Sequence, residues 1–294
     1  MISYAKALDL LESAATELGV ESISSLNALE RICAQDIFSP IALPSFDNSA
    51  MDGFAVRYND TLSASQEGPL ELRITEIIQA KASALKFAVA EAGCCCEIMT
   101  GAPIPAGYDA VIPIELVHLI ERDGQNYIQI KHAVKMHDNV RFSGEDVGLG
   151  ALLFKRGQQI QANDVMLLAS LGIVQLNVFK ALSLAIATTG EEISDNYAQE
   201  LQHGEIYNSN APLLMNLAAA RCFAPRYAGI LRDHKTTLQE FIQTSSEQIL
   251  ITTGAVSKGK WDFIPDTLRE LGAEIIFHAV AIRPGKPVLF ARLK

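Results

Sequence analysis

The sequence predicts a mixed α+β first part that carries an inserted β-rich domain, followed by an α/β part on a mostly parallel sheet. Three observations carry that prediction. From about residue 70 to 135, short apolar runs alternate with polar residues between turn residues, as half-buried strands do. Leu182-Ser183-Leu184-Ala185-Ile186-Ala187-Thr188 is almost continuously apolar, which suits a strand covered on both faces. Beyond it, strand-like and helix-like stretches alternate, the pattern of parallel strands joined by crossover helices. The change of pattern places the junction near residues 176–180.

Taken in order, residues 3–18 set Ala7, Leu8, Leu11, Ala14, Ala15 and Leu18 at helical spacing, with Gly19 as a stop. Residues 22–35 read as helix-like or mixed, and Asp36-Ile37-Phe38-Ser39-Pro40 as a short strand broken by proline. Phe54-Ala55-Val56 reads as a strand and residues 59–69 as a loop. Leu70, Leu72 and Ile74, then Phe87 and Val89, residues 94–99, 110–114 and 127–130 supply the strands of the insert, and Asp123-Gly124 marks a hairpin. Residues 147–160 alternate again. Residues 162–172 read as a helix, with Asn163 as a cap and Gly172 as its end. In the α/β part, helices fall near 211–221, 235–247 and 262–271, and strands near 223–230, 249–252, 274–282 and 288–292.

Composition narrows the function. The chain has 294 residues, enough for about two domains and room for a third. Its net charge of −10 disfavours nucleic acid and acidic membranes as partners. It has no apolar run of about eighteen residues and no signal-peptide pattern at its start, so a cytoplasmic location is expected. Cys33, Cys94, Cys95, Cys96 and Cys222 fit no zinc spacing. They read as small buried hydrophobes in a reducing compartment, with a redox or metal site as the alternative.

Five stretches carry chemistry. Residues 45–56 pack Asp47, Asn48, Ser49 and Asp52 among Phe46, Met51 and Phe54, with Gly53 permitting a backbone angle that other residues resist. An inter-strand turn with Asx-type bonds is the plainer reading of the same residues. Two strands end alike, in Thr188-Thr189-Gly190-Glu191-Glu192 and in Thr252-Thr253-Gly254-Ala255. Ligands of open α/β sheets bind at such carboxyl ends, where glycine admits a phosphate to the backbone. Asn208-Ser209-Asn210 precedes a helix whose free N–H groups favour an anion, or simply caps it. Arg283-Pro284-Gly285-Lys286-Pro287 holds two cations on a stiffened loop, suited to a tetrahedral oxyanion or to solvent.

The string Pro44-Ser45-Phe46-Asp47-Asn48-Ser49-Ala50-Met51-Asp52-Gly53-Phe54-Ala55-Val56 closely resembles the signature of the MoeA/gephyrin-E family of molybdopterin molybdenumtransferases. The resemblance implies an elongated N-terminal domain (residues 1–45 and 137–177), an inserted β-rich domain (46–136) and a three-layer α/β molybdopterin-binding domain (178–294) that is incomplete at its C-terminus. It implies insertion of molybdate into adenylylated molybdopterin with release of AMP, Mg2+ as cofactor, and a homodimer. Molybdopterin adenylyltransferase and molybdoenzyme apoproteins are the implied further partners. Residue by residue, Asp52, Thr100, Glu192, Asp233 and Asp262 match the family's functional positions, and Glu192, Asp233 and Asp262 would serve the metal. Thr189, Gly190, Ser209, Gly254 and Ser257 would hold nucleotide or pterin phosphate. Asp146, in a Gly-Glu-Asp element, is a further binding candidate, and Arg283, Gly285 and Lys286 form the oxyanion loop. Asp52 and Thr100 are expected to act across the dimer interface.

The sequence departs from the family pattern at Ala255, Lys258 and His234, and family members continue beyond the equivalent of Lys294. A non-catalytic pterin-binding or scaffold protein is therefore the alternative reading. A pyrophosphatase acting on other nucleotides is the third.

Overall fold

A computed structural model describes residues 1–80, 90–221, 223–254 and 263–293. The strand expected at Phe87 and Val89, and the segment holding Ser257, Lys258 and Asp262, lie outside the described residues. By internal contacts the chain divides into two units. One comprises Met1–Gln35, Gly157–Val165 and Gln175–Lys294; the other comprises Asp36–Arg156 and Met166–Val174.

The second unit is built on a six-stranded mixed sheet. Its order is Ala110–Pro113, Gly53–Val56, Cys94–Ile98, Leu70–Ile78, Gln125–Ile130, His118–Arg122. Leu70–Ile78 runs parallel to Cys94–Ile98 and the other neighbours are antiparallel. Alternate side chains enter two cores, Phe54, Val56, Leu72, Cys95 and Ile128 on one face and Ala55, Ile78, Cys96, Ile98 and Val111 on the other. Asp123 and Gly124 both take positive φ (52° and 73°), the geometry a two-residue hairpin demands, as their sequence predicts. The short strands Ile37–Phe38 and Leu152–Phe154 pair antiparallel in the same unit. Cys33, Cys94, Cys95 and Cys96 are all buried and unbridged, and burial pushes the thiols of Cys33 and Cys95 up, away from a reactive thiolate.

The first unit contains the parallel sheet, in the order Ala224–Leu231, Ser183–Thr189, Ile249–Thr253. Ala185 and Ala187 face Leu238, Phe241 and Ile264, while Leu184 and Ile186 face Ala211 and Ala218. Helices thus cover both faces of the central strand, which is why it reads as continuously apolar. The helices are Asn210–Ala219, Lys235–Thr244 and Ile264–Glu270.

Several expectations are corrected. The stretch 22–35, expected to be helix-like or mixed, opens as strand: Val20–Ser24 pairs antiparallel with Gln175–Phe179, a partner about 150 residues away that local periodicity cannot reveal. The first helix is Tyr4–Ala14, capped by Ser3 Oγ, and it stops short of Gly19 because Ala15 is extended (φ −63°, ψ 138°). Asn163 lies inside the helix Ala162–Ser170; the side chain that closes its first turn is Asp164, which accepts Gln161 N at 2.8 Å. Glu274–His278 does not extend the parallel sheet. It pairs antiparallel with Leu289–Arg292, because the Arg283–Lys286 loop reverses the chain. The first helix rests on this hairpin through Ala7, Phe277 and Val280, and Ile2 is bonded to Ala279 and Ala281. No helix among the described residues is long and apolar enough to cross a membrane.

Candidate active site

In the second unit the signature loop is held by its own polar side chains. Asn48–Ser49 pairs with Val140–Arg141, and Ser49 Oγ donates to Met51 O at 2.6 Å. Asp52 Oδ1 accepts both Thr100 N (2.6 Å) and Thr100 Oγ1 (2.8 Å). These two bonds, the backbone one first, hold the Asp52 carboxyl below the ordinary aspartate range. The structure therefore joins the two residues that the resemblance pairs, and leaves both exposed. Gly53 is required for a different reason from the one its sequence suggests. Its φ is ordinary, but a Cβ there would lie 2.0 Å from Ile112 O in the adjacent strand. Phe54 is buried, whereas Phe46 and Met51 are exposed, so only one of the three loop hydrophobics anchors it.

Asp146 sits on a guanidinium fork. Arg141 donates through Nε to Glu145 Oε1 and through Nη2 to Asp146 Oδ2, each at 2.6 Å. Asp47 Oδ1 accepts Ser143 N at 2.7 Å, tying this element to the signature loop. Asp146 is thus ion-paired with Arg141 and not directly bonded to Asp52 or Thr100.

In the first unit the two Thr-Thr-Gly ends lie side by side, with Thr188 opposite Thr253 in parallel register. Thr189 Oγ1 donates to Thr253 O at 3.1 Å. Gly254 has φ +94°, and a Cβ on it would fall 2.3 Å from Thr189 O. Gly190 has φ +143°, and a Cβ there would meet the Glu192 carboxylate at 2.8 Å. Both glycines are fixed by their positive φ, and Gly254 also by its close approach to backbone, whereas the Glu192 side chain beside Gly190 can turn aside. Asp233 follows the neighbouring strand, whose Leu231 stands opposite Thr189. Burial pushes the Asp233 carboxyl up, the Glu192 and Glu191 charges add to this, and His234 opposes it. Asp233 Oδ1 and Thr253 Oγ1 are buried atoms with no hydrogen-bond partner among the described residues. An open pocket at this edge is lined by Gly190, Glu191, Ile193, Ile230 and Arg232.

Ser209 flanks the helix Asn210–Ala219 but its side chain makes no capping bond; Asn208 Oδ1 accepts Ala211 N instead, at 3.1 Å. Arg283, Gly285 and Lys286 occupy the separate hairpin, all exposed, with Gly285 at φ +100°. Sequence reasoning missed Asp195 and Tyr227. Together with the buried Asn208 and Thr188 these two half-buried side chains form a polar network at the foot of the site. Only the Asn-Ser-Asn string pointed there, since the other contacts join residues far apart in sequence.

The donor set at the strand ends is all oxygen, and Asp233 Oδ1 is an orphaned acceptor on a carboxyl pushed up first by burial and then by the Glu192 and Glu191 charges. That chemistry fits a hard divalent cation such as Mg2+, which keeps several waters and needs few protein ligands. Among the described residues no group of three His, Cys, Asp or Glu side chains is arranged to hold a metal ion, and Asp262 lies outside them.

A parallel α/β sheet with close-packed glycine ends and a cluster of acids defines a binding domain for a phosphorylated ligand. Comparison with known proteins narrows this. Residues 2–172 match the MoeA N-terminal region (domain I and II), and residues 185–294 match a probable molybdopterin binding domain. The chain is 36% identical to the molybdopterin molybdenumtransferase of Synechococcus elongatus over 296 residues, covering 99% of this chain and 72% of that protein. It is 35% identical to the Bacillus subtilis molybdopterin molybdenumtransferase over 269 residues, covering 90% of this chain and 61% of that one. A crystal structure of the molybdopterin biosynthesis MoeA protein from Pyrococcus horikoshii superposes with a TM-score of 0.81 at 31% identity, covering 100% of this chain and 72% of that chain. The chain belongs to the MoeA family of molybdenum cofactor biosynthesis, a family of transferases.

Proposed function

We propose that this protein inserts molybdate into adenylylated molybdopterin and releases AMP. The observation that carries the reading is the carboxyl edge of the parallel sheet. There the orphaned Asp233 Oδ1 and Thr253 Oγ1 share an edge with two interlocked Thr-Thr-Gly ends. Thr189, Gly190 and Gly254 bring backbone close to a phosphate, with Ser209 and Ser257 as further hydroxyls. Glu192 and Asp233, with Asp262, would hold Mg2+, which when bound screens the charge of the pterin–AMP phosphoanhydride. The protein contributes mainly position and electrostatics: the exposed Arg283 and Lys286 with Gly285 take the oxyanion, and Asp146 orients beside Arg141. Asp52, locked onto Thr100, acts in a homodimer across the interface. The same reading places the protein in the cytoplasm, receiving its substrate from molybdopterin adenylyltransferase and passing its product to molybdoenzyme apoproteins.

The test is AMP release from adenylylated molybdopterin with molybdate and Mg2+, with pterin binding measured in parallel. Wild type should release AMP. Glu192→Gln and Asp233→Asn should bind the pterin and lose at least about tenfold in rate. Pterin binding without AMP release by wild type would hand the case to a non-catalytic scaffold. Strong competition by nucleotides lacking a pterin would point to a pyrophosphatase.

A further inference from the structure

We infer that Tyr227 and Asp195 are positioning residues for this site, holding the loop that carries Glu192 against the end of the central strand. The inference rests on the function proposed above. Glu192 lies on a short stretch between the strand end and Ile193–Ser194. That stretch is fastened on one side by Ile206 N, which donates to Glu192 O at 2.8 Å, and by Asn208 N, which donates to Ser194 O at 2.9 Å. These bonds hold the two segments to each other but not to the sheet.

The tie to the sheet is the polar network of Tyr227, Asp195, Asn208 and Thr188. Tyr227, on the strand beside the central one, donates its hydroxyl to Asp195 Oδ2 at 2.7 Å. Asn208 Nδ2 donates to Asp195 Oδ1 at 2.8 Å and lies 2.9 Å from Tyr227 Oη and 3.1 Å from Thr188 Oγ1. Thr188 Oγ1 is 3.1 Å from Tyr227 Oη. One Asn208 proton and the Tyr227 proton fill the two oxygens of Asp195. The second Asn208 proton and the Thr188 proton then serve the hydroxyl oxygens. Thr188 and Asn208 are 0% and 2% exposed, so each lost bond leaves a dry polar group. Burial pushes the Tyr227 hydroxyl up to about 12, so it remains a donor across the working pH range. Asn208 also caps the helix Asn210–Ala219 through Oδ1. One side chain therefore registers the helix start, the Glu192 loop and the strand end to each other. Tyr227 and Asp195 set that side chain's orientation.

The test uses the full-length protein with Tyr227→Phe and, as a second variant, Asp195→Asn. Amide hydrogen exchange at Ile206 and Asn208 should accelerate at least about tenfold in Tyr227→Phe, while the core of the parallel sheet stays protected. In AMP release, kcat should fall about tenfold with KM for the adenylylated pterin within about twofold of wild type. In a Glu192→Gln background, Tyr227→Phe should add little further loss, because both act through the same carboxylate. Unchanged exchange at Ile206 and Asn208, or losses that multiply fully in the double variant, would overturn the inference. If wild type releases no AMP, it is the function proposed above that fails, and the exchange readout alone still decides whether Tyr227 fastens the loop.

Discussion

Gly254 and Gly204 offer a matched pair for dissecting the interlocked strand ends. Their φ values are nearly the same, +94° and +95°, and both lie in the unit that holds the parallel sheet. Their surroundings differ completely: a Cβ at 254 lands 2.3 Å from Thr189 O and 2.5 Å from Thr189 Oγ1, whereas at 204 it meets nothing within 4 Å. Gly204→Ala therefore carries only the left-handed conformational penalty, about 1–2 kcal/mol. Gly254→Ala carries that penalty and must also push two bonded strand ends apart. The contact is backbone and falls about 1 Å inside normal separation, so an overpacking cost of about 1–3 kcal/mol adds. The expected losses are about 1.5 kcal/mol at 204 and about 3–4 kcal/mol at 254. Urea denaturation of both variants against wild type, with the slopes compared, measures the difference. The Gly254→Ala variant should also bind adenylylated molybdopterin more weakly, since the Thr189 carbonyl must move. Equal losses at the two positions would refute the interlock as a source of stability.

Other outcomes follow from the same geometry. Asp233 has its folded pKa raised above the ordinary 3.8, so the folded protein binds that proton more tightly than the unfolded chain does. Stability from this group therefore falls as pH rises through the window above 3.8. Asp233→Asn should be more stable than wild type at pH 7 and converge with it in acid, as denaturation at several pH values will report. Asp52 has the opposite sign: its depressed folded pKa gives stability present above 3.8 and lost as pH falls through the folded value. Asp52→Asn should flatten that acid limb, and Thr100→Val should do the same, whereas a steep limb in both variants would contradict the role of the Asp52–Thr100 bonds. Gly53→Ala should cost more than about 3 kcal/mol, because the added carbon would lie 2.0 Å from Ile112 O in a paired strand. Thermal denaturation near wild type would disprove this.

What the sequence revealed was what is local. Residues 182–188 read as a fully covered strand because covering helices leave no polar face. The Thr-Thr-Gly repeat could be found because both ends obey one rule, and the structure sets them side by side, offset by one residue. The Asp123-Gly124 hairpin was equally plain, since two positive φ angles limit the residues that fit. The failures share a cause of the opposite kind. Val20–Ser24 became a strand through a partner at Gln175–Phe179. Gly53 is demanded by a carbonyl about sixty residues on and not by its own φ. Asp195 and Tyr227, 32 residues apart, meet only once the sheet has formed. Family resemblance supplied the Asp52–Thr100 pair, but only the fold reveals that Thr100 binds one oxygen twice.

The seat of the first helix on the hairpin has a consequence during synthesis. Ala7 shares its core with Phe277 and Val280, and Ile2 bonds to Ala279 and Ala281. At roughly 5–20 residues per second, the ribosome needs about 15–50 s to make the chain between these partners. Throughout that interval the apolar side of the helix has no native cover, so the nascent chain offers a binding face to chaperones from its first minute of life. Any extension fused ahead of Met1 would bear directly on the Ile2 bridge that closes this circuit.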